Sequence, residues 1–155
     1  MIKIGGILEN EDLILYKMTS LRDKPGVAGQ ALKLFSGNMI NLEYITESSS
    51  VDGRAIMALC IKTKNEKKVD RLLEKNREIR EALSISKLHD VCLLGIYGPH
   101  FREKVGIASC FFSLLGSAGI NILGIATSIS SVCCLVETKN AQAAREAILT
   151  EFELP

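Results

Sequence analysis

The sequence carries the same layout twice, 80 residues apart. Gly26 precedes a segment whose apolar residues recur at helical spacing, residues 27–38, and Gly106 stands at the same place before residues 107–118. This repeat is longer than the ~20–50 residues of a solenoid unit, so each copy predicts a whole small domain. The chain is therefore expected to consist of two similar modules, and its function is expected to use both.

The correspondence continues beyond the first helix of each copy. Asn41 and Asn121 each follow their helix and are predicted to open a strand. The tripeptide Thr-Lys-Asn then occurs at residues 63–65 and again at 138–140, before a second amphipathic segment. Asn65 is a natural N-cap for that helix because its side chain can accept a backbone hydrogen bond. Each copy thus predicts a helix, a strand pair and another helix in the same order.

Periodicity and turn signals give the elements of the first copy, including a hairpin signal at Asp52-Gly53. Their order is β-α-β-β-α-β, which is the ferredoxin-like order and an α+β fold. The predicted strands are residues 13–20, 40–48, 54–62 and 83–88, with helices over 27–38 and after Asn65.

The second copy lacks a closing strand. It predicts strands over 91–97, 121–128 and 132–137 and helices over 107–118 and 141–152, and residues 153–155 are too few to supply another strand. Residues 2–8 form a strand-like run that has no role in the first copy. We therefore expect residues 2–8 to close the second sheet, so that a first domain of residues 10–88 is inserted in a second domain of residues 1–9 plus 89–155.

Composition excludes several classes of partner. The 19 basic and 18 acidic residues nearly cancel, which gives no electrostatic argument for binding nucleic acid. Apolar runs are broken well before the ~18 residues that a membrane span needs. The cysteines have apolar, strand-like flanks and no metal-binding spacing, which predicts buried thiols in a cytoplasmic protein; they are Cys60, Cys92, Cys110, Cys133 and Cys134.

Catalytic, metal-binding and cofactor-binding residues are not predicted. His89 and His100 are the only histidines, and neither belongs to a nucleophile motif. The glycine-rich phosphate-binding patterns are absent. The chain is therefore expected not to be an enzyme and to need no cofactor.

The two glycines suggest a ligand. A helix start exposes unpaired N–H groups at the positive end of the helix dipole, which favours an anion such as a carboxylate. Lys24 and Lys104, each two residues before its glycine, add positive charge. The start of the following strand is expected to lie beside the turn and to hold an amino group. The alternative is that each glycine only permits a tight turn.

Short motifs of both copies resemble the paired ACT domains of aspartate kinases. The first copy contains Asp-Lys-Pro-Gly-Val-Ala at residues 23–28 and Met-Ile-Asn-Leu at 39–42. The second contains Val-Gly-Ile-Ala at 105–108 and Ala-Gly-Ile-Asn-Ile at 118–122. The resemblance covers essentially the whole chain and includes none of the family's kinase domain, so no phosphoryl transfer is expected.

The resemblance implies a regulatory protein that binds a free amino acid, lysine or threonine in that family, between ACT domains across a homodimer. Two alternatives stay open: a separate regulatory subunit of an aspartate kinase or another biosynthetic enzyme, and a structural dimerisation module that binds no ligand. The ligand-binding residues expected from the turns and from the resemblance are Arg22, Asp23, Lys24, Pro25, Gly26, Val27, Ala28, Asn41, Leu42, Glu43, Ile45, Lys104, Gly106, Ile107, Ala108, Asn121 and Ile122.

Overall fold

A computed structural model describes residues 1–20, 26–49 and 52–155; for Val27 and Ala28 it describes the backbone alone. The chain divides into two compact units, one formed by Met1–Asp12 with Asp90–Pro155 and the other by Leu13–His89. Both units contain helices and antiparallel strands, which confirms the α+β class.

The chain contains eight strands and five helices over the described residues, and two short 3-10 helices, Thr63–Asn65 and Thr138–Asn140, precede the second helix of each copy. The strands are β1 (Ile2–Lys3), β2 (Gly6–Ser20), β3 (Tyr44–Ser49), β4 (Ala55–Lys62), β5 (Leu83–Tyr97), β6 (Gly124–Thr127), β7 (Ser131–Glu137) and β8 (Phe152–Glu153). The helices are α1 (Val27–Gly37), α2 (Glu66–Lys75), α3 (Arg77–Ala82), α4 (Ile107–Ser117) and α5 (Ala141–Ile148).

The strand order in the unit Leu13–His89 is β3-β4-β2-β5, with β3 at the edge. Strand β4 pairs antiparallel with both neighbours, so that Cys60 lies opposite Leu15 on one side and opposite Tyr44 on the other. Helices α1, α2 and α3 pack against one face. The core of this unit includes Tyr16, Phe35 and other apolar residues of the strands and helices.

The other unit has the order β2-β5-β7-β6, with β6 at the edge. Leu135 of β7 lies opposite Leu93 on one side and Gly124 on the other, which repeats the register of the first copy. Phe111 of α4 and Phe152 of β8 are fully buried in its core, with their ring centroids 6.5 Å apart.

The N-terminal segment differs from the expected single strand over residues 2–8. Ile2–Lys3 forms β1, and residues 6–8 belong to β2, which continues without interruption into the first strand of the first copy. Strand β2 lies beside β5, and the Gly5 N–H donates to the Tyr97 carbonyl at 2.7 Å. The strands expected over 83–88 and 91–97 are likewise one strand, β5.

The expectation that the chain ends without another strand was wrong. Helix α5 ends at Ile148 rather than at residue 152, because a turn closed by the Glu151 N–H on the Ile148 carbonyl terminates it. Phe152–Glu153 is thereby freed to form β8, which pairs in parallel with β1. This pairing joins segments at the two ends of the chain, so no local sequence pattern predicts it.

Two helix boundaries also differ from the prediction. Asn65 makes no side-chain cap, because a 3-10 turn that ends at this residue leads directly into α2. Asn76 interrupts the predicted second helix, and its side chain accepts a hydrogen bond from the Ile79 N–H at 3.1 Å. Asn76 is therefore the N-cap of a separate helix, α3.

Candidate ligand site at the glycine turns

The two helix-start glycines have nearly the same backbone conformation. Gly26 has φ 93° and ψ −6°, and Gly106 has φ 90° and ψ 5°. Each carbonyl accepts the first hydrogen bond of its helix, from Gln30 at 3.0 Å and from Cys110 at 2.9 Å. A side chain strains the backbone at these φ values, so glycine is required at both positions for a conformational reason.

Among the described residues, none fills the space beside either glycine. A Cβ atom at Gly26 or at Gly106 would meet no atom of the described chain within 4 Å. The first turns of α1 and α4 carry no acidic residue that could compete with an anion. The first N–H groups of a helix have no partner within the helix, so each turn presents donors toward open space.

The second turn is described in full. Ile107 is buried in the core and Ala108 is half-buried. Lys104 is exposed, as is Val105 in the position that Pro25 has in the first copy. Of the predicted site, Arg22, Asp23, Lys24 and Pro25 lie outside the described residues.

The segment that precedes each edge strand is the second part of the predicted site. Strand β3 begins after the segment of Asn41, Leu42 and Glu43, and β6 begins after the segment that contains Asn121 and Ile122. The expectation that each asparagine opens a strand was therefore wrong. Glu43 donates its N–H to the Cys60 carbonyl at 2.9 Å and begins the pairing with β4.

The same contact recurs in the second copy, where the Leu123 N–H donates to the Leu135 carbonyl at 2.8 Å. Ile45, two residues after Glu43, is 42% exposed on the edge strand. Its counterpart is Ile125, 48% exposed, which the sequence analysis did not name as a site residue. Aligning the two copies at the 80-residue spacing would have identified it.

Within one unit the two parts of the predicted site lie at opposite ends of the sheet. Strands β2 and β3 both run antiparallel to β4, and Tyr44 is level with Leu15 through their shared partner Cys60. Ser20, where β2 ends, lies five residues further along β2, or roughly 17 Å away at the rise of a strand.

Helix α1 runs back along the sheet over this distance, in the direction opposite to β2. The Lys68 ammonium, in the first turns of α2, donates to the Asn38 carbonyl at 2.7 Å, which places the end of α1 beside the start of α2. Helix α2 follows β4, whose last residues are level with Leu13. The eleven residues of α1 extend about 16 Å from there back to Gly26. Within this unit, the start of β3 therefore does not lie beside the turn as expected.

The charged groups of the unit Leu13–His89 form a cluster away from the glycine turn. Lys87 on β5 donates to Asp70 at 2.7 Å and to Glu66 at 2.9 Å, and His89 also contacts Glu66. The Tyr16 hydroxyl donates to Asp70 at 2.8 Å. These bonds join β2 and β5 to α2.

The pKa values in this cluster follow the contacts. Hydrogen bonds from Lys87 and His89 lower the pKa of Glu66, and hydrogen bonds to Asp70 and Glu66 raise the pKa of Lys87. Burial and the hydrogen bond to Asp70 raise the pKa of Tyr16. These shifts favour an ionised Glu66 and protonated Lys87 and Tyr16, which are the states that form the hydrogen bonds of the cluster. The cluster therefore has a structural role.

The described residues contain no group of three His, Cys, Asp or Glu side chains that could hold a metal ion. Two clefts, of about 270 Å³ beside Lys3 and Glu153 and about 150 Å³ beside Lys17 and Ser86, are lined by none of the predicted site residues. No helix in the described ranges is long and apolar enough to cross a membrane.

Four of the five cysteines are buried, as predicted, and Cys110 is half-buried. All five are free thiols. Burial raises the pKa of Cys60 and of Cys134 to about 12, and it also raises the pKa of Cys133.

Residues 94–152 match the family model described as the ACT domain. The aspartate kinase of Pseudomonas putida is 30% identical over 154 residues, which are 97% of this chain and 37% of that protein. An aspartokinase of Helicobacter pylori is 24% identical over 97% of this chain and 37% of its own length. The chain therefore spans little more than a third of the curated relatives that it matches.

Two chains of solved structures match over nearly their whole length. The regulatory subunit of aspartate kinase from Thermus thermophilus has a TM-score of 0.86 and 22% identity, with 97% of this chain and 99% of that chain covered. A structure of aspartokinase alpha and beta subunits gives a TM-score of 0.84 and 26% identity, with 95% and 97% covered. Residues 94–152 thus match the ACT domain, and the chain matches the regulatory region of aspartate kinases across its whole length.

Proposed function

We propose that this chain is an amino-acid-binding regulatory protein that acts on an aspartate kinase or a related biosynthetic enzyme. The observation that carries the proposal is the whole-length match to regulatory subunits of aspartate kinase, together with two open glycine turns of the same geometry. A free amino acid is the ligand, with lysine and threonine as the first candidates by resemblance.

The glycine turn supplies the half of the site that binds the carboxylate. Backbone N–H groups at the start of α1 or α4 have no partner within the helix, and the helix dipole favours negative charge there. A Cβ at either glycine would meet no described atom within 4 Å. No acidic residue of the first turn opposes it. A ligand carboxylate bound here needs a second group of contacts for its amino group.

The start of the edge strand supplies that second group from another copy of the chain. Strand β3 is an edge with exposed Ile45, and unpaired edges pair readily with another strand. If two copies pair their β3 strands antiparallel, the start of the partner strand lies level with the end of this one. That is the end of the sheet where β2 stops at Ser20, and Gly26 follows six residues later in the sequence.

This arrangement brings the two parts of the site together from different copies, because one unit alone holds them roughly 17 Å apart, the length of five strand residues. The site is complete only when a second module brings the segment around Asn41 and Glu43 to the turn. Ligand binding then stabilises the pairing of modules, and a change in that pairing is the signal. The protein is accordingly a homodimer in its ligand-binding form.

The modules correspond to the two units of the chain. A first ACT domain of residues 10–88 is inserted in a second that consists of residues 1–9 and 89–155. The shared strand order and the shared register at Cys60 and Leu135 support this assignment. The regulated enzyme is a separate polypeptide or a further part of the same one.

Isothermal titration calorimetry with each of the twenty amino acids tests the proposal, with light scattering to record the mass at each ligand concentration. Lysine or threonine should release or absorb heat, and the bound ligand should raise the melting temperature. At 100 times Kd, one site stabilises the folded state by about 2.7 kcal/mol. A folded dimer that gives no heat with any amino acid at millimolar concentration would favour the structural dimerisation module instead.

A further inference from the structure

An ion pair in each unit joins a strand to the second helix of that unit. In the unit Leu13–His89, Lys87 on β5 contacts Asp70 on α2 at 2.7 Å. In the other unit, Glu9 on β2 contacts Arg145 on α5 at 3.1 Å. Both contacts are partly exposed, so each taken alone contributes little to stability.

The two pairs occupy equivalent positions with opposite polarity. Asp70 is the fifth residue after the 3-10 turn that ends at Asn65, and Arg145 is the fifth after the turn that ends at Asn140. The strand residues are equivalent as well: Glu9 lies three residues before Asp12, and Lys87 three before Asp90. The strand is acidic and the helix basic in one unit, and the reverse holds in the other.

The charged strand residues lie in two segments, residues 6–11 with Glu9 and residues 83–89 with Lys87. Each segment could in principle supply the closing strand of either sheet. Each is directly continuous with the first strand of the other unit, at Asp12 and at Asp90. Both aspartates have a positive φ, 59° and 56°, a conformation that tight hairpin turns use. If the chain turned back there, residues 6–11 would close the sheet of strand 13–20, and residues 83–89 would close the sheet of strand 91–97.

Charge opposes this alternative closure at both places. Residues 6–11 would bring Glu9 to a sheet whose helix presents Asp70 and Glu66. Residues 83–89 would bring Lys87 to the helix that presents Arg145. Like charges at facing positions destabilise a pairing by about as much as opposite charges stabilise it. Two attractive contacts in the native closure would thus become two repulsive ones.

We propose that the opposite polarity of the Lys87–Asp70 and Glu9–Arg145 pairs assigns each closing strand to its own sheet. A duplicated fold has two closing strands at equivalent places, and Ile7 and Ile85 each stand two residues before the charged residue. The two-residue alternation therefore does not by itself assign either segment to one sheet. The charge pattern distinguishes them, both within one chain and between two copies that could exchange strands.

The test is a variant in which both native ion pairs remain attractive but the two closing strands no longer differ in charge. In Glu9→Lys/Arg145→Glu, the pair on α5 is reversed and the Lys87–Asp70 pair is untouched. Both closing strands then carry lysine and both helices carry an acid. The alternative closure is no longer penalised, although the native one has lost nothing. The matched control is Glu9→Gln/Arg145→Gln, which removes the pair but leaves Lys87 specific for Asp70.

Nuclear magnetic resonance of the full chain, after unfolding in urea and refolding, reports the closure. The Gly5 N–H is bonded to the Tyr97 carbonyl, and Gly6 lies against the Tyr97 ring, so contacts between these glycines and Tyr97 mark the native state. Glu9→Lys/Arg145→Glu should show a second set of Gly5 and Gly6 signals without those contacts, or a larger mass by light scattering. Its population should exceed that in the glutamine control by about fivefold, since one exposed charge contact changes an equilibrium by up to that factor.

The order expected for the second population is Glu9→Lys/Arg145→Glu first, then the glutamine control, then the unaltered chain. An ion pair that merely adds stability predicts the reverse for the first two, because the reversed pair is still an ion pair. The proposal is overturned if the reversed variant refolds to the single set of signals of the unaltered chain. It is also overturned if the glutamine control shows as much of the second set as the reversed variant.

Discussion

Met39 and Gly119 hold equivalent positions just after α1 and α4, and both have a positive φ, 57° and 72°. In each case the residue donates its N–H three residues back, to Ser36 or Gly116, and the next residue donates to the carbonyl of Phe35 or Leu115. This is the Schellman arrangement that ends many helices, normally with glycine at the left-handed position. The first copy has a methionine there, and its side chain is 92% exposed.

Replacing Met39 by glycine should stabilise the protein by about 0.5–1 kcal/mol, because the left-handed strain of a non-glycine residue exceeds the entropy cost of glycine. Urea unfolding monitored by circular dichroism measures the change. Met39→Ala keeps the strain and removes the same exposed side chain, so it should leave the stability nearly unchanged. Equal stabilities of the glycine and alanine variants would show that this turn is not strained.

Gly95→Ala should destabilise the protein by about 1–3 kcal/mol, the range for forcing extra volume into a packed interior. A Cβ at Gly95 would lie 2.6 Å from the Cys133 sulfur, 2.7 Å from the Val132 carbonyl oxygen and 3.0 Å from the Cys133 Cα. Because two of these atoms are backbone, an additional Cys133→Ala change should restore only part of the loss.

The control for this substitution is Gly116→Ala. A Cβ at Gly116 in α4 would meet no atom within 4 Å, so the change should be neutral or stabilising by up to about 1 kcal/mol. Both variants are compared in the same urea titration. Equal losses for Gly95→Ala and Gly116→Ala would contradict the close packing of β5 on β7.

Gly26→Val should abolish binding of the amino acid, because the side chain would occupy the open space that the ligand carboxylate needs. Gly106→Val is a matched control. Its glycine has the same φ within a few degrees and the same open surroundings, so its cost in stability should be nearly the same. Its effect on affinity should be smaller if the first turn is the principal site. Calorimetry that finds the two variants equally impaired would make both turns equivalent sites.

Glu66→Gln should make the free energy of unfolding fall less steeply as the pH is lowered from 6 to 3. Hydrogen bonds from Lys87 and His89 lower the pKa of Glu66 in the folded protein. A carboxyl of this kind stabilises the protein above its unfolded-state pKa of about 4.3, and the contribution is lost as the pH falls through the lower folded-state value. Urea titrations between pH 6 and pH 3 should therefore show a shallower decline in the variant. Glu78→Gln, at an exposed position of α3, should keep the decline of the unaltered chain.

Thiol reagents at pH 8 should modify Cys110 well before the other cysteines. Cys60, Cys92, Cys133 and Cys134 are buried, and the pKa of Cys60 and of Cys134 is raised to about 12, so little reactive thiolate is present. Quantifying modified thiols with and without urea measures this difference. A Cys110→Ser variant should react only after unfolding; rapid reaction of that variant in the native state would contradict the burial of the strand cysteines.

Local chemistry made several features predictable from the sequence. Gly26 and Gly106 mark helix starts because a φ near 90° strains any residue that has a side chain and so favours glycine. Apolar periodicity of 3.6 and of 2 identified the helices and the central strands, since burial of one face follows directly from the spacing. The strand cysteines were predicted to be buried for the same reason.

Pairings between distant segments decided what the sequence could not show. Residues 2–8 were one predicted strand, yet Ile2–Lys3 pairs with Phe152–Glu153 and residues 6–8 join β2, because each gains its hydrogen bonds from a segment far along the chain. The same is true of the predicted site. The repeat located Gly26 and Asn41, but only the register through Cys60 revealed that one unit holds them at opposite ends of its sheet. Local propensity fixes where helices and turns begin, whereas the backbone hydrogen bonds of a sheet depend on which strands meet in three dimensions.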